Sequence, residues 1–263
     1  MRKETEVAIK AVKLSGEHLL ECFHAHNHEV QKKEDGSIVT DCDMFCHKKI
    51  LETIQAAFNN HTIISEESPN SDKAVIGSEP TWVIDPLDGT SNFVAGIPLF
   101  GITIAFVEKG ETVMGVFFDP LHDELFVAEK GVGSFLNDEP ISVSVKDTTK
   151  KAMLFAGRGY KQKDKDRHGQ IILAFEKETT YFRRLGSAAI MLAYVAAGRA
   201  DSAILTGDKP WDTLAGVLLV KEAGGKVTDY CGNHWTYQSK DLITSNNLLH
   251  NKLVSITKIQ NEC

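Results

Sequence analysis

Asp85 and Asp88 stand three residues apart in the run Trp82-Val83-Ile84-Asp85-Pro86-Leu87-Asp88-Gly89-Thr90-Ser91-Asn92-Phe93. Trp82 to Ile84 is apolar and β-prone, Pro86 is expected to stop the strand, and Gly89-Thr90-Ser91 offers small residues where a helix can begin. Strand, turn and helix start would set both carboxylates beside exposed helix N–H groups. Carboxylates hold hard cations in such a place, and the N–H groups receive phosphate oxygens.

Ser65-Glu66-Glu67 and Lys209-Pro210-Trp211-Asp212-Thr213 have the same form, an acid where one element hands over to the next. Each alone has a plainer explanation. Adjacent glutamates in a loop are usually solvated, and Asp212 has the position of a helix cap. Together, Glu66, Asp85, Asp88 and Asp212 form an oxygen-donor set that suits Mg²⁺ rather than zinc, which calls for His or Cys. Paired ions held by such a set can clamp the attacking and leaving oxygens of a phosphoryl displacement.

The positioning elements are legible from periodicity. Thr5 to about Phe23 carries apolar residues on one helical face. A second helix starts near Asp41, with Thr40 or Asp41 as its N-cap; Asp43 in its first turn is favoured by the helix dipole whatever its chemistry. Thr62-Ile63-Ile64 reads as a short buried strand. From Phe100 to Leu136, β-rich segments alternate with turn signals, as in an antiparallel meander. Gly131 and Gly133 lack the third glycine and βα context of a phosphate loop and read as a turn. After a polar boundary at Ile141 to Lys151, strands and helices alternate. The class is α/β with an antiparallel first half. His24, His26 and His28 alternate, but they read as a polar loop.

The chain has 263 residues and a net charge of -7, enough for a sizeable core and opposed to general nucleic-acid or acidic-membrane binding. An acidic protein that handles phosphate needs bound cations. The five cysteines are odd in number with no C-x-x-C pair, there is no apolar leader, and no run has the ~18–20 apolar residues of a membrane span. A soluble, cytoplasmic protein is expected.

Asp85-Pro86-Leu87-Asp88-Gly89-Thr90-Ser91-Asn92-Phe93 and Trp211-Asp212-Thr213-Leu214-Ala215-Gly216, closing with Glu222-Ala223-Gly224-Gly225, closely resemble the two signature motifs of the inositol monophosphatase family. Those enzymes are Mg²⁺-dependent, lithium-sensitive phosphomonoesterases. The resemblance runs in order from Val39-Thr40-x-x-Asp43 to the C-terminal strands. It implies one phosphatase domain over 1–263, built of halves at about 1–145 and 146–263. It also implies the layered α-β-α-β-α sandwich of the inositol monophosphatase and fructose-1,6-bisphosphatase type, and a homodimer.

By resemblance, Glu66, Asp85 and the Leu87 carbonyl hold a first metal, Asp85, Asp88 and Asp212 a second, and Glu66 shares a third. The phosphate lies on the N–H groups of Gly89 and Thr90. Thr90, bonded to Asp43, orients and helps deprotonate the attacking water. Ser187, in Gly186-Ser187-Ala188, is implied to touch the substrate. The implied partner is a small phosphorylated metabolite.

Two positions depart from the family pattern. Ser65 replaces a common glycine, a mild change. Leu205, seven residues before Asp212, stands where inositol phosphatases place a glutamate for sugar hydroxyls. An unsatisfied buried hydroxyl costs about 1–3 kcal/mol, which weighs against inositol monophosphate as the preferred substrate. Sugar bisphosphates, NADP, histidinol phosphate and 3′(2′),5′-bisphosphate nucleotides are the alternatives, with Arg183, Arg184 and Lys209 placed to read a second phosphate or a ribose. A phosphate- or nucleotide-sensing pseudoenzyme is the non-catalytic alternative.

Overall fold

In the computed structural model, which describes residues 1–26, 28–33, 36–179 and 181–259, the first apolar stripe becomes α1 (Lys3–Ala25), with Ala8, Ala11, Val12, Leu19 and Phe23 buried. It shares a core with Cys42, Cys46, Ile50 and Ile54 of α2 (Asp41–Ala57). Thr40 caps α2: its Oγ1 accepts from the Asp43 N–H, and the Asp43 carboxylate accepts from the Thr40 N–H. Between the helices, β1 (Val30–Lys32) and β2 (Ile38–Thr40) pair as an antiparallel hairpin.

Seven strands follow in sheet order: β3 (Thr62–Ser65), β4 (Thr81–Asp88), β5 (Gly101–Glu108), β6 (Glu111–Asp119), β7 (Glu124–Glu129), β8 (Gly133–Leu136) and β9 (Glu139–Pro140). All neighbours are antiparallel except β3 and β4. The expectation that Pro86 stops the strand was wrong, since β4 runs on to Asp88. Its register against β5 shifts between Asp85 and Asp88, and such an irregularity needs no N–H from the proline. The short α3 (Thr90–Val94) starts just beyond.

The second sheet contains β10 (Met153–Arg158), β11 (Tyr181–Arg183), β12 (Ser202–Thr206), β13 (Lys226–Thr228) and β14 (Asp241–Ser245), in the order β11-β10-β12-β14-β13. β10 is parallel to β11 and β12, and β14 is antiparallel to its neighbours. The remaining helices are α4 (Gln162–Phe175), α5 (Ala188–Ala196), α6 (Pro210–Glu222) and α7 (His250–Ile259).

The two-residue period of the strands sorts the layers. On β4, Trp82 and Ile84 join the core of α1 and α2, while Val83 between them joins that of α5 and α6. On the second sheet, Phe155, Ala203 and Leu242 face α5 and α6; Leu154, Ile204 and Ile243 face α4 and α7. Sandwiched between sheets, α5 is apolar on nearly every side, with Ala188 to Ala193 all buried, as a helix with no solvent face should be. The result is the layered α-β-α-β-α sandwich. α6 seats directly on β6, because a Cβ at Gly115 would lie 2.7 Å from the Ala215 carbonyl oxygen.

Candidate active site

The end of β4, the loop after β3 and the start of α6 meet at the floor of a cleft of about 660 Å³. Glu66, Asp85 and Asp212 each bring one carboxylate oxygen to within 4.8 Å of the others. Local structure fixes each acid. Asp85 Oδ1 accepts from the Leu87 N–H at 3.0 Å. Asp212 reaches back to cap its helix at the Lys209 N–H, 2.7 Å away, rather than forward to Leu214 or Ala215. The Glu66 N–H donates to the Ile84 carbonyl at 3.0 Å, tying its loop to β4.

Asp88 lies beside this trio but faces the start of α5. Its Oδ2 accepts from the Ala189 N–H at 2.8 Å and from the Ser187 hydroxyl, and its Oδ1 from the Ala188 N–H at 3.3 Å. Ser187 is 1% exposed, and its Oγ accepts from the Ile190 N–H at 3.1 Å. Its hydroxyl is thus engaged with Asp88. Asn92, on α3, ties this loop to the segment before β5: its Nδ2 donates to the carbonyls of Leu99 and Leu185, each at 2.7 Å.

Asp43, 1% exposed, reaches the same floor from α2. Thr90 Oγ1 lies 3.2 Å from Asp43 Oδ1 and 2.9 Å from the Leu87 carbonyl oxygen. Gly89 precedes α3 at φ 89°, and a Cβ there would meet the Leu99 carbonyl oxygen at 2.8 Å; only glycine fits both restrictions. The N–H groups of Gly89 and Thr90 find no acceptor among the described residues.

Negative charge is concentrated here. Burial, and then the charges of Glu66, Asp88 and Asp212, push the Asp85 carboxyl well above its ordinary range. Burial, then Asp208, Glu66 and Asp88, do the same to Asp212. Burial raises Asp88 to about 6 against the pull of its three donors, and Asp43 to about 7 against the hydrogen bonds from Thr40. Lys33, from the β1–β2 turn, answers part of this charge, with Nζ 2.8 Å from Glu66 Oε1 and 2.7 Å from Glu67 Oε1. The set fits Mg²⁺: the donors are hard oxygens, and a dication would offset both the burial and the mutual repulsion that raise these carboxyls.

Four side chains were missed from the sequence. Asp208 lines the cleft, is raised to about 7 by burial and by the charge of Asp88, and keeps Oδ2 buried without a partner among the described residues. Its place in Gly207-Asp208-Lys209, four residues before Asp212, was an available signal. Asn92 stood inside the first motif, but its role, like those of Lys33 and of Arg158, which also lines the cleft, depends on distant partners.

Arg184 and Lys209 line the cleft, whereas Arg183 is exposed outside its lining. Leu205 is a core residue, 1% exposed, with its side chain beside Gly157 and Met191. His24 is exposed at the end of α1 and His28 packs against Phe93 with ring centroids 5.3 Å apart. Neither belongs to a metal-type cluster among the described residues.

A family model described as the inositol monophosphatase family matches residues 1–262. A fructose-1,6-bisphosphatase/inositol-1-monophosphatase of Thermotoga maritima is 38% identical over 252 residues, covering 95% of this chain and 94% of the relative. The Nus factor SuhB of Escherichia coli K12 is 36% identical over 248 residues, covering 94% and 92%. Among solved structures, the extragenic suppressor protein SuhB of Bartonella henselae superposes with a TM-score of 0.90 at 32% identity, over 98% of this chain and 99% of that one.

Proposed function

The chain belongs to the inositol monophosphatase family, and on that premise we propose that it is a Mg²⁺-dependent hydrolase of a small phosphate monoester. The observation that carries this reading is the convergence of Glu66, Asp85 and Asp212 within 4.8 Å, beside a Thr90–Asp43 pair 3.2 Å apart.

In this reading Glu66, Asp85, Asp212, the Leu87 carbonyl and Asp88 hold two or three Mg²⁺ ions. Bound Mg²⁺ supplies Lewis acidity, drawing charge from the phosphoryl and leaving oxygens and acidifying water. The N–H groups of Gly89 and Thr90 receive phosphate oxygens. Thr90 orients the attacking water, and Asp43, with a carboxyl raised to about 7, is matched to accept its proton through the Thr90 hydroxyl near neutral pH. Ser187 holds Asp88 in place. Arg158, Arg184 and Lys209, which line the cleft, give it a positive component that favours an alcohol bearing a further anionic group, in keeping with a sugar bisphosphate or a nucleotide. Lithium sensitivity and a homodimer belong to the same reading.

Relatives named Nus factor favour a second reading, in which the chain acts by binding another macromolecule, nucleic acid included. Hydrolysis ranks first because every acid it calls for is present. Phosphate release from inositol 1-phosphate, fructose 1,6-bisphosphate, NADP and 3′,5′-adenosine bisphosphate, with and without Mg²⁺, tests it. Turnover of at least one member only with metal is expected; a folded protein inert on all of them would support the binding reading.

A further inference from the structure

A second set of side chains, on the other side of α2, has the composition of a different metal centre. His18 and Cys22 lie one turn apart on α1, and Cys42 lies in the first turn of α2. One ring nitrogen of His18 and the sulfurs of Cys22 and Cys42 fall within 4.8 Å of one another. The His18 Nε2 to Cys22 Sγ distance is 3.4 Å, and the thiols of Cys22 and Cys42 share a hydrogen bond. A tetrahedral zinc, with bonds of about 2.3 Å to sulfur and about 2.05 Å to nitrogen, separates such ligands by about 3.6–3.8 Å.

The surroundings are those of a built site. His18 Nδ1 lies 3.9 Å from Glu21 Oε2, an ion-pair separation longer than a hydrogen bond. Phe45 holds the ring from the other side, with centroids 3.7 Å apart. Asp41 Oδ1 lies 3.7 Å from Cys42 Sγ and is steadied by the Glu29 N–H at 2.9 Å. The imidazole is 29% exposed, so an ion can reach the site from solvent while Cys42 stays buried.

We propose that His18, Cys22 and Cys42 bind one Zn²⁺, with a solvent water as the fourth ligand. Thiolate and imidazole ligands select zinc and reject Mg²⁺, so the two sites do not compete for metal. Binding converts both thiols to thiolates and releases two protons to solvent. The ion would staple α1 to the turn of α2 that carries Asp43. The proposal is independent of the hydrolytic reading.

Co²⁺ titration of the reduced full-length protein, with Mg²⁺ in excess, tests it by absorption. The expected result is a thiolate-to-cobalt charge-transfer band with the intense visible bands of a tetrahedral ion, saturating at one equivalent and erased by Zn²⁺. Cys22→Ser and His18→Ala should each weaken binding at least about 100-fold, without changing the circular dichroism spectrum or phosphate release. If Cys42→Ser fails to fold, the partly exposed Cys22 and His18 still carry the test. Absence of the band, its survival in both variants, or a Cys22–Cys42 disulfide forming in a protein that takes up no metal when reduced would overturn the proposal.

Discussion

At the scale of single residues, chemistry follows from how each carboxyl is held. Asp43 accepts from Thr40 through Oδ2 and from Thr90 through Oδ1. In Asp43→Asn the one remaining oxygen keeps the cap at Thr40, and an amide that can only donate is turned toward Thr90. The proposed proton acceptor is lost while the helix start survives. The account expects kcat to fall about 10²- to 10⁴-fold with the melting temperature little changed; a variant with normal kcat would remove Asp43 from the proton path. Ser187→Ala deprives Asp88 of one donor and should raise the Mg²⁺ concentration for half-maximal activity about 10-fold, with KM for the phosphate ester unaffected. A raised KM at unchanged Mg²⁺ demand would instead make Ser187 a direct substrate contact.

At the scale of elements, the site depends on how closely the layers approach. The backbone of α6 rests on Gly115, and backbone cannot step aside as a side-chain tip can. Gly115→Val should cost about 1–3 kcal/mol, read as a lower urea midpoint, and should loosen the start of α6 where Asp212 sits. The elements themselves were largely legible, because strands and helices with one buried face show it as a period of two or 3.6. Pro86 misled because a register shift, which depends on the neighbouring strand, removed the need for its N–H. The β1–β2 hairpin was hidden for the opposite reason: β1 is exposed throughout, so no burial pattern marks it.

At the scale of the whole molecule, the carboxylate floor was readable because three motifs each place an acid at an element boundary. Its fastenings were not. The Ser187–Asp88 bond joins residues 99 apart in sequence, and His18, Cys22 and Cys42 meet only when α1 packs on α2. Charge distribution gives a further expectation. His168 is 2% exposed, with neither ring nitrogen partnered among the described residues. Burial, with Arg184 and Arg158 nearby, lowers it to about 4. An imidazole kept neutral in the fold gains protons on unfolding, so its contribution is intact above about pH 6.5 and is lost as the pH falls toward about 4. The raised carboxyls of the cleft act in the opposite sense, so the readout is a difference: His168→Leu should gain melting temperature relative to the parent between about pH 6.5 and about pH 4.5. A constant difference would contradict the assignment. Light scattering should give twice the mass of the 263-residue chain; a monomer would remove the homodimer from the account.

The most direct measurement is the rate of phosphate release as a function of Mg²⁺ concentration, for the parent chain and for Asp85→Asn, on the best substrate of the panel. Asp85 lies at the centre of the charge that Glu66, Asp88 and Asp212 share, and its amide keeps the shape without the charge. The account predicts a saturable Mg²⁺ requirement in the parent, and in the variant a folded protein whose rate is lower by orders of magnitude at every Mg²⁺ concentration. Equal rates in the two proteins, or hydrolysis by the parent that persists after chelation, would contradict it.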